Sequence, residues 1–413
     1  MNRKHKGDSS ILIYSGLLIL FGLVVIYAIG PARANVLNHA YGSDYSSDYF
    51  FIKQLLSIIL SVLVFFAMFK IDYRFWLKNA QKLLLVGLGL CVLLAISSYA
   101  NLPFTQCSLG ACRWFDLGPL GTFQPAEFLK FAIVFFLAQF MTAKINAGKI
   151  DNRSETLYPI LTLLFITALL IIGVQTDLGT GASLIAIFLS VIIISGIKTK
   201  TILQGLVGLI IFIIIFVITS PHRIERMSTF FMGDNTSTTD ASSYHIEHAK
   251  IALGSGGFSG VGIGNSVQAT GYLPEAINDS VFAIIGEMFG FVGTSILAII
   301  FFGFLYRIII IMNGLQDMKV KLIAAGIFGW ISAHVIFNIF SMLGLAPLTG
   351  ITLPLLSFGG TSLIFVSAII GLLYQISCYT SHSNIKELKN ENSSSGRGIG
   401  RTRYSSHRGY TRD

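Results

Sequence analysis

The sequence contains very little charge. Only 12% of its 413 residues are Asp, Glu, Lys or Arg, whereas 53% are hydrophobic and the mean hydropathy is +0.72. Soluble globular domains carry about 25% charged residues, so this composition excludes that class. We therefore expect an all-α, polytopic integral membrane protein.

Cysteine is also scarce, because the chain has four, which is too few for a disulfide framework. Cys91 and Cys378 lie in apolar segments and are expected to be small buried hydrophobic residues. Cys107 and Cys112 share one short loop, CSLGAC. An oxidising compartment permits a disulfide there, and the sequence leaves both the bond and two free thiols open.

Most of the sequence consists of long apolar runs. Runs of the roughly 20 residues that cross a hydrocarbon core of about 30 Å occur ten times, so we predict ten transmembrane helices. They lie near residues 11–30, 51–69, 82–99, 126–142, 156–174, 180–197, 202–220, 280–311, 322–345 and 355–378. The run 280–311 is long enough for a tilted helix or an interfacial extension.

The distribution of basic residues predicts the orientation, because cytoplasmic loops are enriched in Lys and Arg. With both termini cytoplasmic, 22 of the 29 Lys and Arg residues fall on the inner side. We divide the chain into a cytoplasmic N-terminus (1–10), a transmembrane domain (11–378) and a disordered basic cytoplasmic tail (379–413). The net charge of +9 then requires no nucleic-acid partner.

A large extracytoplasmic loop, 221–279, separates predicted helices 7 and 8 and ends in YLPEAIND. Polar loops longer than about 15 residues are uncommon unless they are functional. This one brings Glu275 and Asp279 to the edge of the hydrocarbon. An acid at that position is a candidate functional residue.

Three other outer segments carry polar residues. The loop after the third span contains Arg113 and Trp114, and the fourth span opens with Glu127 and Lys130 on one helical face. An ordinary helix start explains Glu127 well but Lys130 poorly, since a lysine one turn into a span should either snorkel to the interface or face a polar cavity. Asp177 either caps a helix or lines that cavity.

The remaining motifs are punctuated by glycine and proline. The glycine run at 254–264 matches neither phosphate-binding fingerprint, so close backbone packing is as good an interpretation. His245 and His248 lack a third metal ligand at a convincing spacing. The segment 344–363, which includes Ser357, is too rich in Pro and Gly for a straight helix, so it should be buried in protein or line a wet cavity. We expect the four polar segments to converge on one outward-facing cavity.

The motifs that carry a family resemblance are CRWFDLG with QPAEFLK, QTDLGTG, the glycine run leading to YLPEAINDSVFAIIGE, and Asn338 with LAPLTGITLPLLSFGGTSL. In this order they resemble the family named for shape, elongation, division and sporulation, which includes FtsW, RodA and SpoVE. The resemblance covers roughly residues 11–378. It implies a peptidoglycan glycosyltransferase that polymerises lipid II outside the bacterial cytoplasmic membrane.

The resemblance also implies roles for individual residues. The essential acid of the family falls on Asp279, the candidate general base. Four further family positions fall on Arg113, Glu127, Lys130 and Asp177, which would belong to the substrate site. From their places in the sequence we add Trp114, Glu275 and Ser357 as candidate substrate-binding residues. A divalent cation, Mg²⁺ or Mn²⁺, is left open, with Glu127 and Asp177 as candidate helpers, and no nucleotide is required.

The implied partners are a class B penicillin-binding protein, other divisome or elongation proteins, and membrane lipid. The GVGIGNSVQ run is more similar to the division branch, which predicts a location at the septum. The alternatives are an elongation-type polymerase, a lipid II flippase or transporter, and a non-enzymatic scaffold. Acids at the outer ends of spans, rather than at mid-span, favour an enzyme.

Six positions depart from the family pattern. Cys112 and Ala269 stand where relatives have basic residues, and the loss of these two positive charges is expected to weaken binding of the diphosphate. The other four are Thr176, His245, Asn278 and Ser280.

Overall fold

The described part of the chain is mostly helical and contains one small antiparallel sheet. The structure is a computed structural model that describes residues 6–100, 102–108, 111–118, 121–205, 208 and 241–380. The helices are α1 Ser9–Tyr41, α2 Tyr49–Lys70, α3 Tyr73–Lys78, α4 Ala80–Tyr99, α5 Pro125–Asn146, α6 Tyr158–Ala168, α7 Leu178–Ile194, α8 Ala241–Ser255, α9 Val281–Gly314, α10 Met318–Met342 and α11 Gly360–Ser377. The strands are β1 Thr105–Ser108, β2 Ala111–Asp116 and β3 Thr122–Phe123.

Helix α6 continues without a break into a π-helical turn at each end, giving one span over Arg153–Val174. Within the described residues, eight helices are long and apolar enough to cross a membrane, and the 17-residue α7 is a shorter apolar helix. These helices coincide with nine of the ten predicted spans. Most of the predicted seventh span (202–220) lies outside the described residues, as do 221–240, 1–5 and 381–413.

Aspartates fix where several helices begin. Asp8, Asp177 and Asp317 precede α1, α7 and α10, and each carboxylate accepts an amide of the first turn at 2.9–3.0 Å. Such caps satisfy amides that have no partner inside the helix. Three helix starts are therefore encoded locally.

Helices α5, α10 and α11 form the centre of the bundle, because most of their residues are buried, whereas only four residues of α2 are buried. Helix α10 packs against α5, α7 and α9, and α11 packs against α2. Within this centre, α5 carries the buried Glu127 and Lys130, and α10 carries the buried His334 and Asn338.

The glycine run docks onto a break in α9. At Gly290 the backbone leaves helical geometry (φ 64°, ψ −161°), and the amides of Val261 and Gly262 donate to the carbonyls of Glu287 and Met288 at 2.9 and 3.0 Å. A Cβ added at Gly256 would lie 1.9 Å from the carbonyl oxygen of Gly286. The glycines thus permit close backbone packing, one of the two interpretations left open above.

Residues 344–359, between α10 and α11, form an irregular stretch that we call the broken segment. Its backbone has positive φ at Gly344, Gly350 and Leu355. The prediction that this region is not a straight helix is confirmed. The small sheet at 105–123 was not expected.

Candidate active site

Asp279 lies just before α9 and is held by its backbone. Asn338 of α10 donates its side-chain amide to the Asp279 carbonyl at 2.6 Å. Oδ1 of Asp279 is enclosed and has no hydrogen-bond partner among the described residues. Burial, and after it the charge of Glu275, raises the pKa of Asp279 to about 7. Such a carboxyl can accept a proton near neutral pH.

The broken segment lies against Asp279. A Cβ added at Gly350 would lie 3.9 Å from Oδ2 of Asp279. The amide of Asn338 that holds Asp279 also donates to the carbonyl of Ile351 at 2.6 Å. Helix α10 therefore fixes the acid and the broken segment together.

Glu275 is bonded within its own loop and to α1. Its carboxylate accepts from the side-chain amide of Asn278 and lies 3.7 Å from a guanidinium nitrogen of Arg33. The side chain is 41% exposed, and the backbone has φ 49°. Glu275 therefore lies nearer to solvent than Asp279 and orients the turn that carries it.

Glu127 and Lys130 form an enclosed ion pair, with 2.6 Å between Oε1 and Nζ. The ammonium of Lys130 also lies 3.1 Å from Nε2 of His334 and 4.5 Å from the ring centroid of Trp330. An ammonium has three N–H donors, and the three neighbours Glu127, His334 and Trp330 surround that of Lys130. Oε2 of Glu127 has no partner among the described residues.

Asp177 caps α7 and is also tied to the start of α5. Its carboxylate accepts from the amide and hydroxyl of Thr180 at 2.9 and 2.8 Å, and from Nε2 of Gln124 at 3.1 Å. The cap interpretation is therefore confirmed. Gln124 was missed, although it stands directly before Pro125 in the QPAEFLK motif.

Arg113 ties a hairpin to the start of α7. Cys107 and Cys112 lie opposite each other on β1 and β2 and form a disulfide, and Arg113 follows. Its guanidinium donates to the carbonyls of Thr176 at 2.7 Å and Gln175 at 3.4 Å. Trp114, the next residue, is half-buried on the same strand.

Ser357 lies within the hydrogen bonds of the broken segment. Its buried hydroxyl accepts from the amide of Leu353 at 2.9 Å. Gln54 of α2 lies beside it and donates to its carbonyl at 3.4 Å. Ser357 therefore stabilises the conformation of the broken segment through a hydrogen bond inside it.

Two departures from the family pattern are partners of each other. Nε2 of His245 lies 2.5 Å from the hydroxyl of Ser280, which donates to the carbonyl of Pro274 at 2.8 Å. Because a hydroxyl has one proton, the imidazole is the donor to Ser280. Burial lowers the pKa of His245. A neutral histidine thus braces the turn next to Asp279.

Glu287 of α9 is a second buried acid that sequence reasoning did not single out. It accepts from the hydroxyl of Ser266 at 2.5 Å and the amide of Val267 at 2.9 Å. The sequence feature that could have identified it is an acidic residue inside the apolar run AIIGEMFG. Its contacts hold the loop that contains Ala269, which is buried in the turn Gln268–Thr270.

The part of the chain that the structure describes contains no group of three or more His, Cys, Asp or Glu able to hold a metal. The two predicted helpers are engaged: Lys130 pairs with Oε1 of Glu127, and Thr180 and Gln124 bond both oxygens of Asp177. As arranged, they do not form a two-carboxylate metal site. Metal dependence stays a prediction.

Sequence comparisons place this geometry among known proteins. The model of the family described as "Cell cycle protein", covering FtsW, RodA and SpoVE, matches residues 8–382. Stage V sporulation protein E of Bacillus subtilis is 32% identical over 384 residues, which is 92% of this chain and 99% of that protein. Probable peptidoglycan glycosyltransferase FtsW of Nitrosomonas europaea is 33% identical over 382 residues, covering 91% and 94%.

Solved structures share the fold at lower identity. One chain, from a peptidoglycan synthase complex studied for the coordination of polymerization and crosslinking, superposes with a TM-score of 0.70 at 22% identity. It covers 90% of this chain and 97% of that one. RodA of Thermus thermophilus superposes with a TM-score of 0.60 at 23% identity, covering 90% and 96%.

Proposed function

The chain belongs to the FtsW, RodA and SpoVE family of cell cycle proteins, and on this premise we propose that it is a peptidoglycan glycosyltransferase that polymerises lipid II. The growing glycan moves from its undecaprenyl diphosphate carrier to a new lipid II molecule. The observation that carries the proposal is Asp279, a carboxyl with a pKa of about 7 whose enclosed Oδ1 has no hydrogen-bond partner in the part of the chain that the structure describes. Relatives named as probable peptidoglycan glycosyltransferases support it.

In the proposed reaction Asp279 takes the proton of the lipid II 4-hydroxyl. The hydroxyl oxygen attacks the anomeric carbon of the growing strand, and the bond from that carbon to the diphosphate oxygen breaks. Inversion gives a β-1,4 link and releases undecaprenyl diphosphate. Asp279 then returns its proton to solvent, and the diphosphate bond supplies the activation, so no nucleotide is required.

The departing diphosphate needs cations that do not reorganise during the reaction. Arg113 is half-buried and has guanidinium donors beyond the two that bond carbonyls, and its planar fork suits phosphate oxygens. Lys130 is surrounded by Glu127, His334 and Trp330. We therefore propose that Arg113 contacts the diphosphate directly. Lys130 would stabilise its negative charge electrostatically, without direct contact.

We place the chain in the cytoplasmic membrane of a bacterium, with its active site outside and its termini inside. The 22-to-7 distribution of basic residues supports this orientation. We propose a class B penicillin-binding protein as partner, which the similarity to a chain of a peptidoglycan synthase complex supports. Similarity to FtsW and a sporulation protein favours septal synthesis. Sidewall localisation of a fluorescent fusion would instead indicate an elongation role.

The test is polymerisation of labelled lipid II by the purified chain in detergent, with and without that partner. We expect glycan polymer on a gel in at least the combined reaction. In liposomes a flippase would move lipid II across the bilayer without forming polymer. A scaffold would do neither, and would fail even with the partner present.

A further inference from the structure

One face of α10 contacts two successive carbonyls of the broken segment. His334 and Asn338 are four residues apart and so lie on the same side of the helix. Nδ1 of His334 lies 3.2 Å from the carbonyl oxygen of Thr352. The side-chain amide of Asn338 donates to the carbonyl of Ile351 at 2.6 Å.

Each of these two side chains also contacts one charged part of the site. His334 reaches Lys130 with 3.1 Å between Nε2 and Nζ, and Asn338 donates to the Asp279 carbonyl at 2.6 Å. Both residues are buried. A continuous set of contacts therefore joins the Glu127–Lys130 pair to Asp279 through Ile351 and Thr352.

The partners of His334 fix its tautomer. A lysine ammonium can only donate, so Nε2 of His334 accepts from Lys130. The proton of the neutral ring must then be on Nδ1, where it donates to the carbonyl of Thr352. His334 thus uses one acceptor and one donor at the same time.

We propose that His334 and Asn338 form a two-point clamp between α10 and the broken segment. The clamp fixes the position of the Glu127–Lys130 pair relative to the backbone of Asp279. His334 is a positioning residue, because it contacts Lys130 and a carbonyl and no reacting atom. This inference rests on the proposed polymerase function and deepens it. It assigns a role to a histidine that sequence reasoning did not select.

The clamp makes a specific prediction about which side chains can replace His334. Leu fills a similar volume but makes neither hydrogen bond, and displacing a positioned group by about 1 Å can slow a reaction about 100-fold. Gln carries an acceptor and a donor at comparable reach. We therefore expect His334→Leu to lower kcat about 100-fold, and His334→Gln to stay within about threefold of wild type.

Two further variants separate the clamp from general packing. His334→Asn keeps a polar amide but is too short for both partners, so it should resemble the leucine variant and serves if that variant does not fold. Ser341→Ala removes a different side chain of α10 that faces the broken segment. The Ser341 hydroxyl lies 3.0 Å from the carbonyl oxygen of Pro347 and 2.6 Å from that of Phe337 within α10. Ser341 contacts neither Lys130 nor Asp279 in the described structure, so its loss should leave kcat unchanged.

The experiment measures kcat and KM for labelled lipid II with the full chain and its partner. We expect the leucine and asparagine variants to lose kcat while KM changes little. We also expect Lys130→Met combined with His334→Leu to be no slower than the slower single variant. Wild-type activity in both the leucine and asparagine variants, or no rescue by glutamine, would overturn the clamp. Absence of polymer from wild type would instead refute the proposed function.

Discussion

Glu275 and Asp279 lie on one turn directly before α9, and the carboxylate of Glu275 adds to burial in raising the pKa of Asp279 to about 7. The carbonyl of Glu275 also accepts the amides of Asn278 and Ser280, on either side of Asp279, at 2.9 and 3.3 Å. The residue that sets the geometry of the turn therefore also affects the proton affinity of the acid.

This relationship predicts the pH dependence of the enzyme. A base must be deprotonated to act, so kcat/KM should fall about tenfold per unit as pH drops below about 7. Removing a neighbouring negative charge lowers a carboxyl pKa. Glu275→Gln should therefore move the midpoint of the profile to lower pH, whereas Asp48→Asn, at an exposed carboxylate, should leave it in place. An unmoved midpoint in Glu275→Gln would remove Glu275 from the tuning of the base.

Arg113 and Trp114 are adjacent but make different contacts, and their variants should differ. Loss of a fixed donor to developing charge lowers turnover about 100-fold, so Arg113→Ala should lose about that factor in kcat/KM for lipid II. Trp114→Phe keeps an aromatic ring and should stay within about twofold. Equal losses in the two variants would indicate that this hairpin acts as an interfacial anchor.

The Glu127–Lys130 pair should be more sensitive to losing one charge than both. Lys130→Met leaves an enclosed carboxylate without its cation, which destabilises a fold by about 3–5 kcal/mol. The combined Glu127→Leu and Lys130→Met variant removes both charges and should recover much of that stability. Thermal unfolding in detergent measures both. A double variant less stable than Lys130→Met would contradict the view that the unpaired Glu127 carboxylate is the main cost of losing Lys130.

The packing of the glycine run predicts contrasting effects at two nearby glycines. A Cβ at Gly256 would lie 1.9 Å from the carbonyl oxygen of Gly286, whereas a Cβ at Gly254 meets nothing within 4 Å. Gly256→Ala should displace the loop from α9, destabilising the protein by about 1–3 kcal/mol, and expose the loop to protease. Gly254→Ala should be neutral or slightly stabilising, since alanine favours helix. Equal proteolysis of the two variants would contradict this packing.

The parts of the fold that depend on local sequence were predictable. Span positions follow from apolar length, and the irregular stretch before α11 follows from Pro347, Pro354 and the glycines around them. The cap at Asp177 could also be anticipated, as one of two interpretations, because capping involves only residues within one helical turn.

The contacts that assemble the site were not predictable, because they join residues far apart in sequence. His334 and Lys130 are separated by 204 positions, and Gln124 and Asp177 by 53. The break in α9 at Gly290 likewise depends on amides supplied by the glycine run about 30 residues earlier. A single sequence records the residue types for these contacts but not their pairing.

The most direct test of the account replaces the proposed base and keeps its shape. Asp279→Asn should insert and fold as wild type does, and should lose polymerisation of labelled lipid II by at least about 100-fold. Asp44→Asn, at an exposed carboxylate, is the matched control and should retain full activity. Polymer made at the wild-type rate by folded Asp279→Asn would contradict the assignment of Asp279 as the base.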